Sequence, residues 1–221
     1  MSGIKSNIRY WTWCLGNVML IFLLISCVYQ LVNGLLGGED FQNTLSFAGM
    51  YLPIFLAIIS SVIGFIMGDS YIPLALSMGS TRKDLFWGME LVFHLIFGTV
   101  LLLALVIKCL ALENIPAAFA TLSLPFLALM FLSAGCGNFV LAAIPKGRGL
   151  AVFIMVLTIL ADLAFSTFIL VIPYMQGMWV SMTDMWRELI QNLILLGAAV
   201  LIDAISLWFV NKSLKHREVR V

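Results

Sequence analysis

The sequence predicts an all-α, polytopic membrane protein with six spans and both ends in the cytoplasm. Three observations predict it. First, 62% of the 221 residues are hydrophobic and only 10% are charged, where a soluble domain carries about 25% charged residues. Second, the apolar residues fall in six long runs: Trp13–Leu36, Ser46–Met67, Leu85–Ile107, Ala117–Ile144, Leu150–Pro173 and Leu189–Val210. Each holds about the 20 residues a helix needs to cross roughly 30 Å of hydrocarbon. Third, ten of the 12 Lys and Arg residues lie in alternate gaps between those runs. One set of gaps holds Lys5 and Arg9, then Arg82 and Lys83, then Lys146 and Arg148, then Lys212, Lys215, Arg217 and Arg220. The other holds only Lys108 and Arg187. Short loops that stay in the cytoplasm collect basic residues, so the first set and both termini are expected there.

The whole chain, 1–221, reads as one membrane domain, with no room for a separate soluble one. Residues 1–12 form an interfacial segment, with Trp11 and Trp13 suited to the headgroup zone. The first run is too long for the apolar core of a signal peptide, and Gly37-Gly38-Glu39-Asp40 offers no Ala-x-Ala cleavage site. Gly37-Gly38 ends that run, and Asn43 or Thr44 would cap the second helix. The second run ends in Gly64-x-x-x-Gly68, a spacing that admits a close helix crossing. That crossing is either inside one chain or between two. The fourth run carries Pro125 and Ser133-Ala134-Gly135-Cys136-Gly137-Asn138, where a bend or close crossing is expected and Asn138 needs a partner in the bundle. Pro145 to Gly149 is a tight turn. Residues 174–188 combine Trp179, Trp186 and four methionines with Asp184, Arg187 and Glu188, which reads as interfacial or re-entrant helix before the last span. Residues 211–221 form a basic tail suited to anionic headgroups.

The loop at 69–84 is the most informative segment. It parses as a short helix, a stop and a new start. Asp69 or Ser70 would cap the helix, Pro73 falls in its first turn, and Gly79 takes the left-handed stop position. Thr81 with Asp84 resembles a capping box for the third span. The helix between carries Tyr71, Ile72, Leu74, Leu76 and Met78, followed by Arg82 and Lys83. An apolar surface with nothing soluble to cover it needs the membrane or a partner.

Leu74-Ala75-Leu76-Ser77-Met78-Gly79-Ser80-Thr81-Arg82-Lys83-Asp84-Leu85-Phe86 resembles the Leu-x-Gly-x-Ser/Thr-Arg-Lys/Arg-x-x-Phe stretch of small export-type permease subunits of bacterial ABC transporters. The six-run layout with both ends inside is similar along the whole chain. The resemblance implies that 69–84 is a cytoplasmic coupling helix. It implies that Tyr71, Ile72, Leu74, Leu76, Met78, Arg82 and Lys83 face an ATP-binding cassette subunit. It implies a second permease copy or related permease, re-entrant helices at 174–188, and a cell-membrane location. The expected function is export of a peptide, drug or other amphipathic substrate. No Gly-x-x-x-x-Gly-Lys-Ser/Thr loop is present to hold a nucleotide, so ATP and Mg belong to the partner and this chain needs no cofactor of its own. No nucleic-acid partner is expected.

Glu90, His94, Asp162 and Asp203 lie inside runs. An ionised side chain at mid-bilayer costs about 2.5–3.5 kcal/mol on insertion scales, so these should face the bundle. Glu90 and His94 share one helix face, and Asp203 is at similar depth. They make either a polar path or a set of packing hydrogen bonds. Four scattered cysteines and two distant histidines give no metal ligand set and no expected disulfide. Two other readings remain: the substrate-binding membrane subunit of a vitamin importer, and an intramembrane enzyme using Glu90 and His94. The first span lacks the small Ala-rich face of the former. The latter would need further catalytic groups, and no His-Glu-x-x-His or Gly-x-Ser-x-Gly is present.

Overall fold

A computed structural model describes residues 3–38, 41–110, 115–167 and 185–215. These residues form seven α-helices: α1 Gly3–Gly37, α2 Phe41–Ile66, α3 Ile72–Ser77, α4 Arg82–Leu110, α5 Ile115–Ala143, α6 Arg148–Ser166 and α7 Met185–Lys215. Six of them, all but α3, are long and apolar enough to cross a membrane, the layout of a multi-pass membrane protein. Among the described residues there is no strand.

Two of the helices run well past their apolar stretches. A 35-residue α1 is about 52 Å long at 1.5 Å per residue, well beyond the hydrocarbon thickness. The helix is continuous through Thr12, with Trp11 fully buried and Trp13 exposed. Similarly α7 runs five residues past Val210, to Lys215. Asn43 and Thr44 do not cap α2, which already begins at Phe41. Gly38 does turn the chain after α1, at φ +63°.

Helix α5 is the axis of the bundle. It packs on α2, α4, α6 and α7, and two thirds of its apolar window is buried against about a quarter or less for α1, α6 and α7. Its small residues explain how four helices reach it. A Cβ on Gly137 would lie 2.7 Å from the Ser60 carbonyl oxygen, and a Cβ on Gly64 would collide with the Gly137 carbonyl. A Cβ on Gly68 would collide with Ile144, and one on Gly135 would lie 3.2 Å from the Asp203 Cα. The Gly64-x-x-x-Gly68 pair is therefore occupied within the chain, by α5 and the turn after it.

The basic segments gather at one end. Ser80 Oγ donates to Asn7 Oδ1 (2.9 Å), joining the loop after α3 to α1. Arg82 donates to the Lys215 carbonyl (3.2 Å), joining α4 to the end of α7. Arg148 and Asp69 meet at 2.8 Å, joining α6 to the chain just before α3. This basic end carries the start of α1, the α3 loop, the α5–α6 turn and the end of α7. Residues 174–184 and 216–221, expected as interfacial helix and tail, lie outside the described residues, apart from Met185–Glu188 and Asn211–Lys215, which belong to α7.

Candidate functional site

Two features concentrate chemistry: the α3 loop at the basic end and a polar group buried between helices.

Helix α2 does not stop before α3. Met67–Tyr71 forms a π-helical turn, with the Ile72 N–H reaching back five residues to the Met67 carbonyl. Pro73 follows this turn directly, whereas Pro53 and Pro125 sit inside uninterrupted α-helix. Pro73 has no N–H, and its ring would clash with the carbonyl four residues earlier in an α-helix; a wider turn removes that carbonyl from its path. Asp69 and Ser70 therefore do not act as caps. Asp69 instead holds Arg148 through two hydrogen bonds, 2.8 and 3.3 Å.

The stop at Gly79 is present, at φ +86°. Gly79 N–H donates to the Leu76 carbonyl and Ser80 N–H to the Ala75 carbonyl, both at 3.1 Å. That pair of bonds is the Schellman motif, which needs a left-handed residue where glycine stands. The next helix starts as its sequence indicates: Asp84 N–H donates to Thr81 Oγ1 at 3.1 Å.

The faces of α3 differ from the sequence expectation. Ile72 is 0% exposed and Ala75 1%; Ile72 anchors α3 in the core and is removed from any docking surface. Tyr71 packs edge-on against Trp11, with ring centroids 6.4 Å apart, and Leu76 is half-buried against the same core. Leu74 is 50% and Met78 60% exposed. Arg82 and Lys83 are also exposed, and together these four make the outward surface.

Inside the bundle, His94, Glu90 and Asp203 do meet. His94 Nε2 lies 3.0 Å from Asp203 Oδ2. Its Nδ1 lies 2.9 Å from the Glu90 carbonyl oxygen, one turn back. That backbone acceptor requires a proton on Nδ1. Asn138 Nδ2 donates to Glu90 Oε2 at 3.3 Å, giving the α5 amide its partner. Gly135 is what brings α7 close enough to place Asp203 here. The group thus ties α4, α5 and α7 together. Among the described residues, Glu90 Oε1 and Asp203 Oδ1 are buried without a hydrogen-bond partner.

Asp162 stands apart from that group. It is 0% exposed on α6, and neither carboxyl oxygen has a hydrogen-bond partner among the described residues. Cys136 of α5 is its polar neighbour. Thr158, one turn before it, bonds Ser61 of α2 at 2.9 Å, while Ser166 Oγ, one turn after, has no hydrogen-bond partner among the described residues. Among the described residues no three His, Cys, Asp or Glu side chains converge in a way that could hold a metal ion.

Sequence reasoning did not single out Asn7 or the Asp69–Arg148 pair, which brace the α3 loop. A polar Asn7 in an otherwise interfacial segment carries no local signal of burial, yet it is 3% exposed. Asp69 and Arg148 are 79 residues apart, so no spacing pattern links them.

Comparison with family models, with curated proteins and with solved structures finds no match to this chain.

Proposed function

We propose that this chain is the membrane-spanning permease subunit of an ABC exporter, driven by ATP hydrolysed on a separate subunit. The single observation that carries the reading is α3. It is a short helix at the basic end, sharply stopped by Gly79, with Leu74 and Met78 turned outward. Apolar side chains held out on a braced loop fit a groove on a partner. The bias of Lys and Arg assigns that end, with both termini, to the cytoplasm, and the cell membrane is the location that follows.

The bracing matters to the mechanism. Asp69–Arg148, Ser80–Asn7 and Arg82–Lys215 tie the loop to α6, α1 and α7. A push on α3 would then reach three spanning helices, besides α2 and α4 at its own ends. An ATPase that closes on nucleotide could tilt those helices and change access to a path between two permease copies. Asp162 is enclosed within one chain beside Cys136 and would meet cargo only where opening of the bundle uncovers it. The Glu90–His94–Asp203–Asn138 group is better suited to holding helices together, since each residue takes part in at least one hydrogen bond between helices or along one.

The test is purification of the tagged full chain from its native host. An ATPase that carries a Walker motif is expected to copurify with it. The double variant Leu74→Glu, Met78→Glu is expected to lose that ATPase while keeping its membrane insertion and melting temperature. Retention of the ATPase by the double variant would refute α3 as the dock.

A further inference from the structure

Away from the basic end, α1 and α2 border an open pocket of about 280 Å³ lined by Tyr29, Gln30, Asn33, Thr44, Tyr51 and Phe55. Gly34 closes one side: a Cβ there would sit 2.5 Å from the Thr44 side chain, so the two helices touch at that point. Gln30 is 8% exposed, and its Nε2 has no hydrogen-bond partner among the described residues. A buried amide donor without an acceptor is rare in folded chains and costs stability. It is explained if an acceptor arrives with a ligand.

The wall also says which ligand. From Tyr10 to Gly38 of α1, and from Phe41 to Gly68, the chain has no charged residue. Neither α1 nor α2 supplies a charged side chain to an ionic headgroup, and burying such a group would cost its hydration. What the pocket does present is two carboxamides and aromatic ring faces. Tyr29 and Phe55 stand edge-to-face at 6.4 Å. Amides for hydroxyl and ring-oxygen acceptors, with aromatic planes for the faces of a ring, suit an uncharged polar ring carried on an apolar tail. A tail would lie along the exposed apolar flank of α1, where Leu24, Ile25, Val28 and Val32 are open.

We infer that this pocket binds the neutral, hydroxyl-bearing headgroup of an amphiphile, with the Gln30 amide as the donor to it. Its role as a cargo site rests on the permease reading; binding itself does not.

The experiment uses the full chain in phosphatidylcholine nanodiscs, with saturation-transfer NMR of three amphiphiles that share one tail. These are octyl glucoside, octyl sulfate and octylphosphocholine, each below its micelle concentration. Saturable binding is expected for the glucoside alone. Gln30→Leu should weaken it about fivefold or more, the loss of one hydrogen bond with its shape fit, while raising the melting temperature of the ligand-free protein. A purely structural Gln30 would show the reverse, a lower melting temperature. Asn33→Leu, at an exposed position, should weaken the glucoside without unfolding the chain. Equal binding of all three amphiphiles, or unchanged glucoside affinity in both variants, would overturn the site. Glucoside binding without a copurifying ATPase would remove the transport role and leave the site standing. A copurifying ATPase without glucoside binding would do the opposite.

Discussion

Gly137→Ala is the smallest change that should damage this bundle, and its size can be worked from the α2–α5 crossing. The new methyl carbon would lie 2.7 Å from the Ser60 carbonyl oxygen and 2.9 Å from Phe93 Cζ. Ordinary contact begins at 3.4 Å, so α2 must retreat by about 0.7 Å. The obstacle is backbone, and Phe93 is itself 3% exposed with no space to swing into. Overpacking of this kind costs about 1–3 kcal/mol. The neighbouring Asn138–Glu90 bond, already long at 3.3 Å, would open and add about 1 kcal/mol. Alanine returns about 1 kcal/mol through helix propensity. The net loss is about 1–3 kcal/mol, a fall in melting temperature of about 3–10 °C for a chain of this length. Gly16→Ala is the control, because nothing lies within 4 Å of its added Cβ; it should melt with the parent or above it. The chain supplies its own reporter: Cys14, Cys109 and Cys136 are buried and free, so with the exposed Cys27 replaced by serine a thiol-reactive fluorophore reads their exposure on heating. Equal melting of Gly137→Ala and Gly16→Ala would refute the crossing and, with it, the placement of Ser60, Phe93 and Asn138.

Two further predictions concern the buried carboxylates. Asp162→Leu should raise the melting temperature, because it replaces two unmatched buried oxygens with an apolar group of similar size; it should also abolish transport if Asp162 meets cargo, and paired melting and transport assays read both. Asp203→Leu should lower stability by about 2 kcal/mol, since His94 would lose its Nε2 partner in a largely buried setting, whereas Asp203→Asn keeps an acceptor and should lose less; thermal melts of the two variants check the order.

Much of this architecture is legible in the sequence, and the misses have physical causes. The six spans follow from run length alone. Their ends do not, because hydropathy marks where lipid ends and not where backbone hydrogen bonding ends; hence α1 from Gly3 and α7 to Lys215. In the α3 loop, the Gly79 stop and Thr81 start are legible because their chemistry is local. The Asp69 cap fails because the chain runs on through a π-turn into Pro73 and a distant Arg148 takes the carboxylate. Ile72 and Leu74 are equally apolar in sequence, and only packing separates the anchor from the exposed face. Depth along the helices puts Asp203 level with Glu90 and His94, but only packing makes the three meet, and Asn138 joins them because Gly135 and Gly137 bring α5 close to its neighbours. The Gln30 pocket is invisible to sequence reasoning, since its residues are unremarkable singly and meet only when α1 packs on α2.

The central claim is that α3 is gripped by an ATPase, and in-cell photo-cross-linking tests it most directly. A benzophenone amino acid is placed at Met78, and another at Leu102 on the exposed flank of α4. The account predicts that Met78 captures a protein bearing a nucleotide-binding motif, identified by mass spectrometry, and that Leu102 does not. Labelling of position 78 from outside the cell, or the same lipid-only products at both positions, would contradict it.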